Sequence, residues 1–311
     1  MKALVTGGCG FIGSHLVDKL IDLGATIWVF DKKEISLEKN KGIECHWQGD
    51  VVNYEGVKWL MDIFRPDYIF HLAAIPAVKI SISNPLATMR VNVLGALNVL
   101  EAARLHKVKR VILISSAAVY GARSQNPTEK LSEDRDLRIL NPYALSKKWL
   151  EEAGKLWASK EIWDGVETVS LRYFNVYGPR QRRDAAYATC IERFLYQWRN
   201  GEAFTIVPDG KQRRDFIHVY DVVDAAIRAA FSKKITAGEV INIGSGKNYS
   251  ILEIADIIGN KDYPRVFIEP RPGEARYVLA DISKVRELLD WEPRIFFEWG
   301  INQLKEEISK N

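Results

Sequence analysis

Short apolar runs alternate, through the first half of the chain, with longer stretches whose apolar positions recur every three or four residues. The runs at 2–6, 26–31, 43–48, 68–72, 111–115 and 168–173 read as strands, and the stretches at 11–23, 54–64, 85–106 and 143–160 read as helices. Strands separated by helices predict right-handed crossovers and an α/β fold with a doubly wound parallel sheet. Ligands of such sheets lie beyond the carboxyl ends of the strands, so the residues ending each strand are the first candidates for function. After residue 174 the alternation loosens. A helix near 187–200 and a strand near 204–207 predict a smaller α/β lobe, while 215–243, with a helix near 222–231, is expected to return to the first domain. The expected division is 1–174 plus 215–243 for a nucleotide-binding domain, and 175–214 plus 244–311 for a substrate-binding lobe.

The first strand runs into Gly7-Gly-Cys-Gly10-Phe-Ile-Gly13. The first glycine allows a sharp turn, the second removes a side chain where a pyrophosphate approaches, and the third lets the helix pack close on the strand. The helix start then offers free N–H groups and the positive end of its dipole to the phosphates. Strand two ends in Asp31, about twenty residues on, where a carboxylate can hold a ribose diol. This is the Rossmann pattern for a dinucleotide. An acid at Asp31 favours NAD over NADP by repelling a 2′-phosphate, although Lys32 and Lys33 follow it. Asp50, after strand three, reads either as an adenine contact or as a turn aspartate. His71, ending strand four, reads as a core histidine bonded to backbone rather than a base. Ala73 and Ala74 are small, as close packing against a cofactor requires.

Strand five ends in Ser115-Ser116, and its hydroxyls are expected to point into the cleft. Asn141 and Pro142 then suit the cap and first position of a helix. Tyr143 and Lys147 fall four apart on one face of it. An ammonium near a phenol stabilises the phenolate and makes tyrosine a usable base. Tyr54 and Lys58 share that spacing but are set aside, for want of a capped helix start and a nearby strand-end hydroxyl. Ser116, Tyr143 and Lys147 therefore form the candidate acid–base set; the alternative is a solvated helix face.

Composition narrows the partners. The 311 residues are 47% hydrophobic and 27% charged, with a net charge of +4, which calls for no nucleic acid. No apolar run approaches a membrane span, and the N-terminus enters a strand without a signal-peptide pattern. Cys9, Cys45 and Cys190 lack metal-ligand spacing, so no metal is expected, and reduced thiols in the cytoplasm are the simplest reading.

Taken together, Thr6-Gly-Gly-Cys-Gly-Phe-Ile-Gly13, Asp31, Asp50, His71-Leu-Ala-Ala74, Ser115-Ser116 and Tyr143-Ala-Leu-Ser-Lys147 resemble the extended short-chain dehydrogenase/reductase family. Leu171-Arg-Tyr-Phe-Asn175, Arg214-Asp215-Phe-Ile-His-Val219, Asn242-Ile-Gly-Ser-Gly246 and Arg271-Pro-Gly-Glu274 are similar to its nucleotide-sugar branch, whose prototype is UDP-glucose 4-epimerase. The resemblance covers essentially the whole chain. It implies NAD held by Gly7, Gly10, Phe11, Ile12, Gly13, Asp31, Asp50, Val51, Leu72, Ala73, Ala74, Tyr143 and Lys147. It implies Tyr143 as base, Lys147 as the group that lowers its pKa, and Ser116 on the sugar O4. Asn175, Arg214, Arg271 and Glu274 would hold the UDP-sugar, and two long helices would pair in a homodimer. Relatives that eliminate water or carbon dioxide carry an acid just after the strand-five hydroxyl, where this chain has Ala117 and Ala118. That departure points to epimerisation at C4. Pro76 stands where some epimerases have a lysine near the phosphates, and Val278 lies near a position that limits sugar size. Other nucleotide-sugar reactions of the family, and a non-catalytic dinucleotide-binding scaffold, are the alternatives.

Overall fold

The computed structural model describes residues 1–34, 42–121, 126–181, 189–235, 238–269 and 276–310. The apolar runs form β1 (Lys2–Thr6), β2 (Thr26–Asp31), β3 (Cys45–Gln48), β4 (Tyr68–His71), β5 (Arg110–Ser116) and β6 (Glu167–Tyr173). Short strands follow: β7 (Asn175–Tyr177), β8 (Phe204–Ile206), β9 (Arg213–His218), β10 (Glu239–Ile243), β11 (Asn248–Ser250) and β12 (Arg265–Phe267). The helices are α1 (Phe11–Asp22), α2 (Tyr54–Phe64), α3 (Val78–Ser83), α4 (Pro85–Met89), α5 (Gly95–Leu105), α6 (Pro142–Trp157), α7 (Cys190–Arg199), α8 (Val219–Phe231), α9 (Ile251–Gly259), α10 (Ser283–Leu289) and α11 (Phe297–Lys310).

Seven strands form one sheet in the order β3-β2-β1-β4-β5-β6-β10. Every neighbouring pair is parallel. A parallel sheet must be covered on both faces, and the period-two alternation of side chains supplies both surfaces. Ala3 and Val5 of β1 join Ile112, Leu16 and Ile227 in one buried cluster, under α1 and α8. Leu4 joins Val111, Leu60 and Leu100 in another, under α2 and α5. The first cluster also takes in Val278, Ala280, Val285 and Trp291 from the last part of the chain. A third cluster gathers Phe194, Phe204, Phe216, Ile254, Phe297 and Ile301. It lies among α7, β8, α9, α11 and the small sheet β11-β9-β7.

Two expectations are corrected here. The single helix expected at 85–106 is α4, a wider π turn over Arg90–Leu94, and α5. Asn92, in that turn, points inward and is buried. Its amide accepts from the Ile75 N–H at 2.7 Å and donates to the Ile75 carbonyl at 3.1 Å and to Ser146 Oγ at 3.0 Å. These bonds take the place of a regular helical register at this point, as π turns do where side chains are needed inside. Helix α2 is also capped, with Asn53 Oδ1 accepting from the Gly56 N–H. What removes Tyr54 and Lys58 as a pair is Lys58, which bridges to Asp62 at 2.9 Å instead.

The strand order reverses between β1 and β4, which opens a crevice at their carboxyl ends. There Thr6 and His71 are register partners, and Thr6 Oγ1 meets His71 Nδ1 at 2.8 Å. His71 is a core histidine, bonded to a side-chain hydroxyl rather than to backbone as expected. Burial, and then the nearby Lys147 charge, lower its pKa from 6.5 to about 3. A histidine depressed in the folded state is protonated only on unfolding over that range, so its stabilising contribution is full above about 6.5 and is lost as pH falls toward 3. The thermal midpoint of the protein should therefore fall on acidification through this window. His71→Asn should flatten that slope, measured by calorimetry between pH 4 and 7 against the unaltered protein; an identical slope in the variant refutes the assignment.

Candidate active site

The turn after β1 is backbone packed on backbone. Gly7 has φ +74, and a Cβ there would lie 2.6 Å from the Ala73 N. A Cβ on Gly13 would lie 2.2 Å from the Gly7 carbonyl, whereas one on Gly10 would meet only that same oxygen, at 3.2 Å. So Gly7 and Gly13 are demanded by packing, and Gly10 leaves the space above the turn open. Helix α1 starts at Phe11 and Ile12 with no side-chain cap and no acid in its first turn. Its N-terminus is thus presented as an anion would need it. Asp31 closes the other side: its carboxylate accepts from the Cys9 N–H at 3.0 Å and the Lys33 N–H at 2.9 Å. These groups together form the cradle a dinucleotide requires, with an acidic group at the tip of β2.

Asp50 accepts from the Val52 N–H at 3.1 Å and pairs with Lys32 at 2.8 Å. Val51 is buried beneath it. Leu72, Ala73 and Ala74 follow β4 directly beside Gly7, and Leu72 and Ala73 are partly buried against the two faces of the sheet. Cys9 is no nucleophile here, since burial and then the Asp31 charge push its thiol up to about 12. Cys9, Cys45 and Cys190 are all free thiols, and no cluster of potential metal ligands occurs among the described residues. No helix among them is long and apolar enough to cross a membrane.

The next strands bring the acid–base candidates together. Asn141 caps α6, its Oδ1 accepting from the Ala144 N–H at 2.8 Å, with Pro142 in the first turn. That fixes Tyr143 and Lys147 on the buried face of α6, against β5. The Ser116 hydroxyl stands beside the Tyr143 phenol and acts to lower its pKa. It also accepts from the Ala118 N–H at 3.2 Å, capping the tight turn Ala117–Tyr120. Lys147 Nζ donates to the Ile114 carbonyl at 2.7 Å and stands 5.8 Å from the centre of the Tyr143 ring. The phenol is not lowered as expected: burial raises its pKa, and Ser116 works the other way. Burial also lowers Lys147, to about 8, against the pull of Glu151. Ser115 does not face the cleft. It is buried and donates to Glu151 Oε1 at 2.5 Å.

The substrate-side candidates are less gathered. Asn175 begins β7 and donates from Nδ2 to the Asp215 carbonyl at 2.8 Å. Arg214, on β9, donates to the Arg213 carbonyl at 2.9 Å. Arg271 and Glu274 lie outside the described residues, as do Arg182 and Arg183. Arg213, by contrast, is structural, holding Asn248 and Glu253. Val278 is buried in the large core and bonds through its N–H to the Arg213 carbonyl. Sequence reasoning missed Asp215, a fully buried carboxylate that accepts from the N–H groups of Ser245, Gly246 and Ala280. It missed Glu151 as well, although the four-residue step from Tyr143 to Lys147 repeats to reach it.

Residues 3–244 match the profile of the NAD dependent epimerase/dehydratase family. A UDP-glucose 4-epimerase of Mycolicibacterium smegmatis is 34% identical over 317 residues, covering 97% of this chain and 96% of that one. A UDP-N-acetyl-alpha-D-glucosaminuronate decarboxylase of Bacillus cytotoxicus is 33% identical, with 97% and 96% covered. Among solved structures, the UDP-glucose 4-epimerase of Thermotoga maritima with UDP-glucose superposes with a TM-score of 0.91 at 32% identity, covering 100% of this chain and 99% of that one. The Thermus thermophilus UDP-glucose 4-epimerase in complex with NAD gives 0.88 at 31% identity, with 99% of each chain covered. With the glycine cradle, the strand-two acid and the Tyr143–Lys147 helix in place, the chain belongs to the NAD-dependent epimerase/dehydratase family, and its cofactor is NAD.

Proposed function

We propose that this enzyme is a nucleotide-sugar 4-epimerase acting on UDP-glucose and UDP-galactose, with the N-acetylated pair UDP-GlcNAc and UDP-GalNAc as the second candidate substrate. The observation that carries the reading is Tyr143 and Lys147 one turn apart on the buried face of one helix, with the Ser116 hydroxyl at the strand end beside the phenol. Bound NAD supplies the acceptor, and then the donor, of the hydride at the sugar C4. Tyr143 takes the proton of the 4-hydroxyl and later returns it. Ser116 holds O4 beside that phenol. Lys147 places the protein's positive charge on the same buried helix face and would bind the nicotinamide ribose. After oxidation the 4-keto sugar must turn over before reduction from the other face, so the nucleotide is gripped and the sugar is not. Asn175, Arg214, Arg271 and Glu274, on the lobe formed by 175–214 and 244–311, would provide that grip. Arginine suits it through bidentate contacts to phosphate.

The neighbouring chemistries are disfavoured by the two residues after Ser116. Ala117 and Ala118 carry methyl groups, which cannot move the proton that dehydration requires or assist loss of a carboxylate. A non-catalytic scaffold would not need Tyr143 and Lys147 buried together. Purified protein without added cofactor should convert UDP-glucose to UDP-galactose, read by NMR of the products, and a parallel incubation with UDP-GlcNAc tests the room beside Val278. Conversion of neither sugar, even with NAD supplied, would refute the substrate assignment. Tyr143→Phe should reduce kcat by about 10²- to 10⁴-fold, the range for loss of a general base, in a protein that unfolds at the same temperature. Unchanged turnover would remove Tyr143 from the mechanism.

We further propose a cytoplasmic homodimer. Leu86, 82% exposed, Leu94, Trp149 and Leu156 leave apolar side chains in solvent on α4, the π turn and α6, and α4 packs on α6. A second copy laid on this face would form a bundle of helices and bury them. Light scattering should give twice the chain mass, and Leu86→Glu combined with Trp149→Glu should give a monomer. A monomeric unaltered protein would overturn the assignment.

A further inference from the structure

We propose that Glu151 is a positioning residue for this active site, holding Lys147 as a charged ammonium and setting the register of α6 on β5. The proposal rests on the epimerase reading of the Tyr143–Lys147 site. Residues 143, 147 and 151 fall on successive turns of one helix face, and each meets β5. Tyr143 lies beside Ser116, Lys147 donates to the Ile114 carbonyl at 2.7 Å, and Glu151 accepts from Ser115 at 2.5 Å. The third contact is a carboxylate with no exposure to solvent, and the proton transfers proposed above make no use of it.

A buried carboxylate is costly unless it is paired and hydrogen-bonded. Glu151 is both. Arg172 of β6 donates from Nε to Oε1 and from Nη2 to Oε2, each at 2.8 Å. Arg172 is held in turn by the Tyr120 hydroxyl at 2.9 Å, and Tyr120 donates to Asn242 Oδ1 of β10 at 2.7 Å. The carboxylate is thus fixed from three strands. Stability alone does not require it, since well-packed apolar side chains commonly replace such pairs without loss. Lys147 does require it. On β5 it donates to the neutral Ile114 carbonyl. On β4 it faces His71, which burial keeps neutral. On its own helix it faces the Tyr143 phenol and Glu151. Burial drives Lys147 toward the uncharged form, and Glu151 is the charged group that opposes this. Arg172 lies beyond the carboxylate, whose charge it shares.

The test is the titration of Lys147 itself, which is independent of turnover. In full-length protein with its bound NAD and ¹³C-labelled lysine, the Lys147 signal is assigned by its loss in Lys147→Met. It should titrate about one pH unit or more lower in Glu151→Gln than in the unaltered protein. Glu151→Asp should move it back toward the unaltered value. Should Glu151→Gln alone not fold, because Arg172 is left buried and unpaired, Glu151→Gln with Arg172→Gln leaves neither charge and should shift Lys147 in the same direction. An unchanged Lys147 titration in a folded variant lacking the Glu151 charge overturns the proposal. Unaltered protein that converts no UDP-sugar refutes the epimerase reading instead, while the titration still decides whether Glu151 holds the charge.

Discussion

The structure depends on one close approach: the first turn of α1 lying directly on the turn that leaves β1. Backbone meets backbone there, with no side chain between, because Gly13 stands over the Gly7 carbonyl. That contact sets the distance of α1 from the sheet and leaves its uncapped N-terminus facing the crevice between β1 and β4. Thr6 and His71 tie the same two strands together beneath it, and Asp31 ties the turn to β2. The helix end that attracts phosphate and the carboxylate suited to a ribose are therefore positioned by the same backbone packing that closes the sheet.

Much of this was legible in the sequence, because it rests on local pattern. Apolar runs of strand length, glycines at three-residue spacing and the Asn141-Pro142 helix start each specify a conformation within a few residues. The less legible parts depend on partners far along the chain. The strands β7, β11 and β12 have three residues each and exist only by pairing with β9 or β8. The π turn at Arg90–Leu94 carries no breaker of its own and answers to Ile75 and Ser146. Ser115 and Ser116 are adjacent hydroxyls, but the alternation of the strand sends one to a buried carboxylate and the other to the phenol. The partners of Arg214 were not legible at all, since a long arginine side chain can turn to several carbonyls.

The electrostatics of the site follow from placing an ammonium in a dry interior. Lys147 is brought there by the same helix spacing as Tyr143, and burial then works against its charge. Water cannot offset this, since solvent would also reach the phenol and the reacting sugar. A compensating charge has to come from the protein. It must lie close enough to act on Lys147 and be held in place by partners of its own. A carboxylate one turn further along the helix meets the first condition. A bidentate arginine and a serine hydroxyl on its two oxygens meet the second. The same reasoning explains why His71, near the ammonium, is kept neutral and bonded to Thr6. A second cation beside Lys147 would raise the cost of the first, so the one histidine at this strand end is held where it does not take up a proton.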